Sequence, residues 1–305
     1  MTLSNPINQM ESTDCQIPDC HAVCLIIEPK EKDIGDFSVR RLLPFVKQRM
    51  VGPWLFFDHM GPAEFEAGNG INVRPHPHIH LATVTYLFEG EILHRDSIGS
   101  NQTITPGDIN LMVAGKGIVH SERERPQVTA QAHRLHGLQL WMALPEDEQE
   151  MEPAFYHYAS SEIPSITVDE CEVRVMMGSA YGVTSPVKTF AQTLYLEANM
   201  KAGDTLELPC AEARAVYVAD GEVEIDDASI ERYHMAVLSS QDSVIVRATH
   251  ASRIALIGGE EMSPRHMFWN FASTAKERIE QAKQDWQAGR FPKVVGDDEE
   301  FMPLP

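Results

Sequence analysis

The residues His76, His78 and His80, in the run Arg74 to His80, are answered further along the chain by His120, Ser121 and Glu122. Both segments read as β-strand, in which alternate side chains share a face. His76 and His78 therefore point one way, and so do His120 and Glu122. Laid side by side, two such strands bring three imidazoles and one carboxylate to a point. A donor set of three nitrogens and one oxygen, without thiolate, suits a divalent first-row metal: iron(II), manganese, nickel or copper ahead of a soft-ligand site. Four protein ligands on an octahedral ion leave two positions for other molecules. Strand parity also puts His80 on the face of His76 and His78, where its ring would hydrogen-bond a ligand or the substrate.

The elements that must position these groups are short apolar strands punctuated by Gly, Pro, Asn and Asp. Thr83 to Phe88 stops at Glu89 and Gly90, Glu91 to Asp96 at the turn Ser97 to Asn101, and Gln102 to Thr105 at Pro106 to Asp108. Ile109 to Val113 gives way to Gly115 and Gly117, and Leu135 to Leu144 closes at Pro145. Strands resume over Val173 to Met177, Thr193 to Leu196, Thr205 to Leu208, Ala215 to Val218, Val223 to Ile225, Val244 to Ala248 and Ile254 to Ile257. Close spacing, turn punctuation and no helical period predict an all-β architecture of barrel or sandwich type.

The two halves carry a repeat. Tyr86 to Ile92 matches Tyr217 to Val223 in kind at each position, which implies two copies of one β unit. At that register Glu207 and Pro209 stand where His76 and His78 stood, and Ala251 and Arg253 stand for His120 and Glu122. The second copy has no metal ligands. A leader over residues 1–22, a metal-binding domain over 23–150 and a metal-free domain over 151–305 follow. Near the end, Thr274 and Glu277 have capping-box spacing, and Ile279, Ala282 and Trp286 share one helical face until Gly289 and Pro292 end the helix. The acidic stretch Gly296 to Glu300 then leads to an apolar end, Phe301 to Pro305, that is expected to dock back on the body.

Other polar residues divide by parity. Arg123 alternates away from the ligand face and reads as solvated or salt-bridged. His136 and Gln139 differ by three positions, so at most one faces the site. His94, His133 and His157 read as surface or satisfied-core residues. Tyr86 and Phe88 follow the ligand parity and suit either the apolar wall of a pocket or core packing. Gly61 to Gly70 is either a mobile rim of the site or an ordinary connection. Cys15, Cys20, His21 and Cys24 match no common zinc spacing and are not read as a site.

The formal charge of −20 disfavours direct nucleic-acid binding, which needs dense Lys and Arg, and equally an anionic membrane surface. With 43% hydrophobic residues, the 305-residue chain has the composition of ordinary globular domains. The polar start lacks a secretory pattern, no stretch has the length of a spanning helix, and five cysteines fit free thiols, so the cytoplasm is the expected compartment.

His-x-His followed by a second pair after a glycine turn, on duplicated β units, resembles the cupins. The wording from Pro75 to Gly90, with Pro106 to Asp108, Ala114 to Glu122, Gly258 to Glu260 and Pro264 to Asn270, resembles the pirin family, including its bacterial quercetin dioxygenase-like members. The likeness covers nearly the whole chain after about Val23. It implies two tandem cupin barrels with a short C-terminal helix, one metal in the first barrel, iron(II) foremost, and His76, His78, His120 and Glu122 as ligands. Manganese, nickel, copper, cobalt and zinc are the other ions such a site accepts. The general cupin glutamate after His-x-His is absent here, where Ala82 and Thr83 stand, and Glu122 takes its carboxylate role. Some relatives carry glycine at the position of His80. The implied activity is a dioxygenase of the quercetin 2,3-dioxygenase type, acting on a flavonol or other small aromatic substrate with O2, with Glu122 as base. The alternative is a redox-responsive, metal-binding regulator that works through a protein partner without turnover.

Overall fold

A computed structural model describes residues 22–34, 37–240 and 243–305; Cys15, Cys20 and His21 lie outside these. The architecture is two β barrels, each made of a seven-stranded sheet facing a four-stranded one. The four-stranded sheet of the first barrel runs in the order Asn72–His78, Ile118–Arg123, Ile92–Asp96, Asn101–Ile104. Pro75 and Pro77 lack an N–H, so the strand that carries them belongs at a sheet edge, and that is its place. Facing it, Leu81–Glu89, His133–Ala143 and Trp54–Phe65 form the centre of the seven-stranded sheet.

The repeat is structural. Leu81–Glu89 and Ala213–Asp220 are equivalent central strands, each ending at a glycine of positive φ, Gly90 (+89°) and Gly221 (+78°). The strand equivalent to Asn72–His78 is Thr205–Glu207, and it pairs with Ile245–Ala248, not with the segment holding Ala251 and Arg253. The turns differ in length between the copies, so a fixed sequence offset overshoots. Neither strand carries a histidine, and Leu206, Leu208, Val223, Ile225, Val246 and Ala248 fill the second barrel with apolar side chains.

The barrels pack through their large sheets around one shared core that includes Trp54, Phe57, Tyr86, Tyr195 and Tyr217. The Trp54 indole donates across the junction to the carbonyls of Leu194 (3.2 Å) and Gly258 (3.0 Å). The sheets also exchange strands. Val23–Ile27 pairs with Met235–Leu238 in the second barrel, and Ala154–Tyr158 pairs with Ile109–Val113 in the first. A boundary between residues 150 and 151 therefore cuts neither barrel cleanly.

The C-terminal segment returns to the first barrel. Phe271 forms a parallel bridge with Ile79 and packs with Ile279 and Ala282 of the helix Lys276–Gln287. Thr274 does not cap this helix: Ala275 is the N-cap, and the Thr274 hydroxyl is spent on Gln149. The final residues dock as expected, with the Met302 N–H donating to the Pro75 carbonyl (2.9 Å) and the Trp286 indole to the Met302 carbonyl (2.9 Å). No helix among the described residues is long and apolar enough to cross a membrane.

Candidate metal centre

His120 lies directly opposite His76 in the strand pair, and the ligand nitrogens of His76, His78 and His120 all fall within 4.8 Å of one another. The Nε2 atoms of His78 and His120 are 3.1 Å apart. The hydrogen-bond partners of the other ring nitrogens fix what these Nε2 atoms present. His76 Nδ1–H donates to the Arg74 carbonyl (2.9 Å) and His78 Nδ1–H to the Asn270 carbonyl (3.1 Å), because a carbonyl only accepts. In both neutral rings Nε2 is then a bare lone pair.

His120 reaches the same state by a longer route. The Asp96 carboxylate, wholly buried, accepts from His94 Nε2 (3.0 Å), which in a neutral ring leaves His94 Nδ1 as an acceptor. That nitrogen faces His120 Nδ1 at 3.4 Å, so a His120 proton on Nδ1 would bond it and turn a third lone pair inward. With all three protons on Nδ1, three lone pairs face one another, an arrangement that a bound cation would satisfy. Imidazole–metal bonds of about 2.0–2.1 Å set at right angles place two nitrogens about 3 Å apart, which the His78–His120 spacing matches. Burial also favours the neutral, ligating form. It lowers the pKa of His76 to about 4 and those of His78 and His120 well below the usual range, neighbouring histidines adding to the effect on all three. The donors fit one transition-metal ion.

Glu122 is buried beside them but outside that group of nitrogens. A bulge between His120 and Glu122 sets Glu122 opposite Val73 in the edge strand, out of step with the His120–His76 pair. Its Oε1 accepts from Gln139 Nε2 (2.8 Å), and it lines a cavity of about 330 Å3 together with His76, Gln139 and Trp141. Burial raises the Glu122 pKa, opposed by the hydrogen bond from Gln139, by nearby His94 and by Thr85. The cavity volume is at the low end of that of small-ligand sites.

Its walls come from residues the sequence does not single out. Phe56 and Trp141 stack at 3.9 Å between ring centroids, and Trp141 meets His78 edge-on at 5.0 Å. Arg41 lies over Phe56 and is held by two bonds to Asp58 (2.8 and 2.7 Å). Met60, Ile71, Trp269 and Met302 also line the cavity. Tyr86 and Phe88 take the core-packing role and stay out of the wall: Tyr86 contacts Arg174 and Tyr195 of the second barrel, and Phe88 contacts His136 and Arg253.

His80 departs from the parity expectation. The strand ends at His78, and His80 takes φ +60°, which turns its ring toward Ser273 (3.1 Å) and Glu150 (2.7 Å) and away from the three imidazoles. Its bond to Ser273 secures the strand Phe271–Ser273, next to the Asn270 carbonyl that orients His78. Of the other pair, Gln139 faces the site while His136 meets His59 (2.8 Å) on the opposite side. Gly61 lies within the strand Trp54–Phe65, and beyond it the Ile71 N–H is tied to Glu124 (2.9 Å), as in an ordinary connection. His133 and His157 are satisfied by Glu124 and Asn110. His94 is the histidine that sequence reasoning passes over. Its signal is the spacing His94-x-Asp96 on a strand that pairs beside His120 and Glu122.

Comparison with known proteins agrees with this geometry. Residues 36–142 match the Pirin family model and residues 195–292 the model of the pirin C-terminal cupin domain. A pirin-like protein of Caulobacter vibrioides is 44% identical over 92% of this chain and 99% of its own length. Human pirin is 35% identical over 87% of this chain and 92% of its own. The crystal structure of a quercetin 2,3-dioxygenase from Acinetobacter baumannii superposes with a TM-score of 0.86 at 31% identity, covering 92% of this chain and 94% of that one. With both family models matched in order on two cupin barrels, and such relatives spanned nearly end to end, the chain belongs to the pirin family.

Proposed function

We propose that this protein is a mononuclear-metal dioxygenase of the quercetin 2,3-dioxygenase type. Nε2 of His76, His78 and His120 and the Glu122 carboxylate would hold one divalent ion, iron(II) foremost. The observation that carries the reading is the convergence of three imidazoles beside an aromatic-walled cavity that contains a buried carboxylate. The name of the Acinetobacter relative supports the substrate class. When bound, the ion supplies Lewis acidity and a template on which a flavonol and dioxygen meet.

The chain's own groups do the remaining work. The Phe56–Trp141 stack with Met60, Ile71 and Met302 offers flat apolar surface to a fused aromatic ring and excludes water. Glu122 accepts the proton of the flavonol 3-hydroxyl. The Gln139 amide fixes its orientation. The ring then opens with uptake of dioxygen and loss of carbon monoxide.

The test is anaerobic loading with iron(II), followed by oxygen and quercetin. Consumption of flavonol with matching release of carbon monoxide is expected. Glu122→Gln should reduce kcat by about 10²–10⁴-fold, the range of general-base catalysis. Fully loaded protein that leaves the flavonol intact overturns the enzyme reading and favours metal-dependent binding of a protein partner.

A further inference from the structure

We propose that Asp96 and His94 are positioning residues for the metal centre: together they hold His120 in the tautomer that ligates. This rests on the metal reading above and goes beyond the four ligands. The three ligand histidines are not oriented alike. His76 and His78 each give Nδ1–H to a backbone carbonyl, a partner that side-chain substitution cannot remove. His120 alone depends on side chains, through His94 to Asp96.

That pair is tightly built. Asp96 is fully buried, and its Oδ1 accepts the N–H groups of Ile98 (3.0 Å) and Ser100 (2.8 Å), which leaves Oδ2 for His94. Its backbone carbonyl takes the Val295 N–H (3.2 Å), so the C-terminal segment braces the same residue. The His94 ring stacks on Phe155 at 4.3 Å, which fixes its plane. Phe155 belongs to the strand Ala154–Tyr158, which pairs on the edge of the first barrel's large sheet. Outer partners of this kind typically govern metal affinity by 10–100-fold.

The pinned Oδ1 makes the substitution Asp96→Asn informative. Two backbone donors require the amide oxygen at Oδ1, so the amide N–H must stand where Oδ2 was. It would donate to His94 Nε2, move the His94 proton to Nδ1, and force the His120 proton onto Nε2, the nitrogen that faces the metal. An isosteric change would thus invert the tautomer of a ligand two residues away in the chain of contacts. Asp96→Ala removes the constraint and leaves His94 free to adopt either tautomer, although it deprives the Ile98 and Ser100 N–H groups of their acceptor.

Two measurements on the full-length chain test this. Long-range ¹H–¹⁵N spectra of metal-free protein should show His120 protonated at Nδ1 in the wild type and at Nε2 in Asp96→Asn. Cobalt(II) titration against a chelating dye should show about 10–100-fold weaker binding for Asp96→Asn. Asp96→Ala should bind cobalt better than Asp96→Asn despite melting lower, an order that a merely structural role would reverse. His94→Gln, which keeps an acceptor oxygen for His120, should bind better than His94→Phe. Wild-type cobalt uptake with unchanged affinity and an unchanged His120 tautomer in Asp96→Asn overturns the inference alone. A wild type that takes up no cobalt overturns the metal reading and this inference with it.

Discussion

Replacing Arg123 with alanine should release the C-terminal strap from the metal barrel. The Arg123 guanidinium donates to both oxygens of Asp297 (Nε 2.6 Å, Nη2 2.9 Å) and to Glu300 (2.9 Å). The Asp297 side chain is only 10% exposed, so its two charge-assisted bonds are worth about 1.5–3 kcal/mol. The Glu300 side chain is 46% exposed, and its bond adds at most about 1 kcal/mol after solvent screening. A loss of about 1.5–4 kcal/mol raises the opened fraction of the strap about 10- to 1000-fold. The helix Lys276–Gln287 keeps its own contacts through Ile279 and Ala282, while the strand Asn72–His78 loses the bond from Arg123 to the Asn72 side chain. Hydrogen exchange reads this directly. The Met302 amide, bonded to Pro75 beside His76, and the Val295 amide, bonded to Asp96, should exchange faster by that factor, while Leu138 in the central sheet should not change. Since Met302 lines the cavity, opening should also speed exchange of the bound metal. Unchanged protection at Met302 and Val295 would refute the reasoning and leave the strap held by its apolar contacts alone.

Acid should loosen the contact between the barrels through His59 and His136. Burial, aided by Arg253 and Arg232, lowers the His136 pKa to about 4, and burial first, then His136, lowers that of His59 well below the usual range. Both folded values lie beneath the unfolded one, so the unfolded state binds more protons below about pH 6.5 and stability falls as pH drops through that window. Thermal melts from pH 7.5 to 4.5 should show this, and His136→Gln should flatten the curve. Gln139→Leu removes the N–H that lowers the Glu122 pKa, so the acidic limb of any flavonol turnover profile should move to higher pH. Phe271→Ala should cost about 3–5 kcal/mol in urea unfolding, because Phe271 is fully buried against Ile79 and Phe291.

The three histidines were legible because the β period alone decides which way His76, His78 and His120 point. The period stops carrying information where the backbone leaves the strand, which is why His80, at φ +60°, turns elsewhere. It also carries no information about which strands become neighbours. His94 and Asp96 lie on a strand whose place beside Ile118–Arg123 is a matter of topology, and their link to His120 was invisible. The stacked wall of Phe56 and Trp141 is likewise made by pairing between strands distant in sequence. The repeat centred on Gly90 and Gly221 was readable because both turns need positive φ. The alignment around His120 was not, since turn lengths between the copies differ. The exchange of Val23–Ile27 and Ala154–Tyr158 leaves no local signal, as an apolar strand can complete either sheet.

Metal content, measured on the purified protein after anaerobic iron(II) loading and on His76→Ala, His78→Ala and His120→Ala variants, bears most directly on the three converging imidazoles. About one ion per wild-type chain, with little retained in each variant, is the expected result. A wild type that holds none, or variants that hold as much as the wild type, would contradict it.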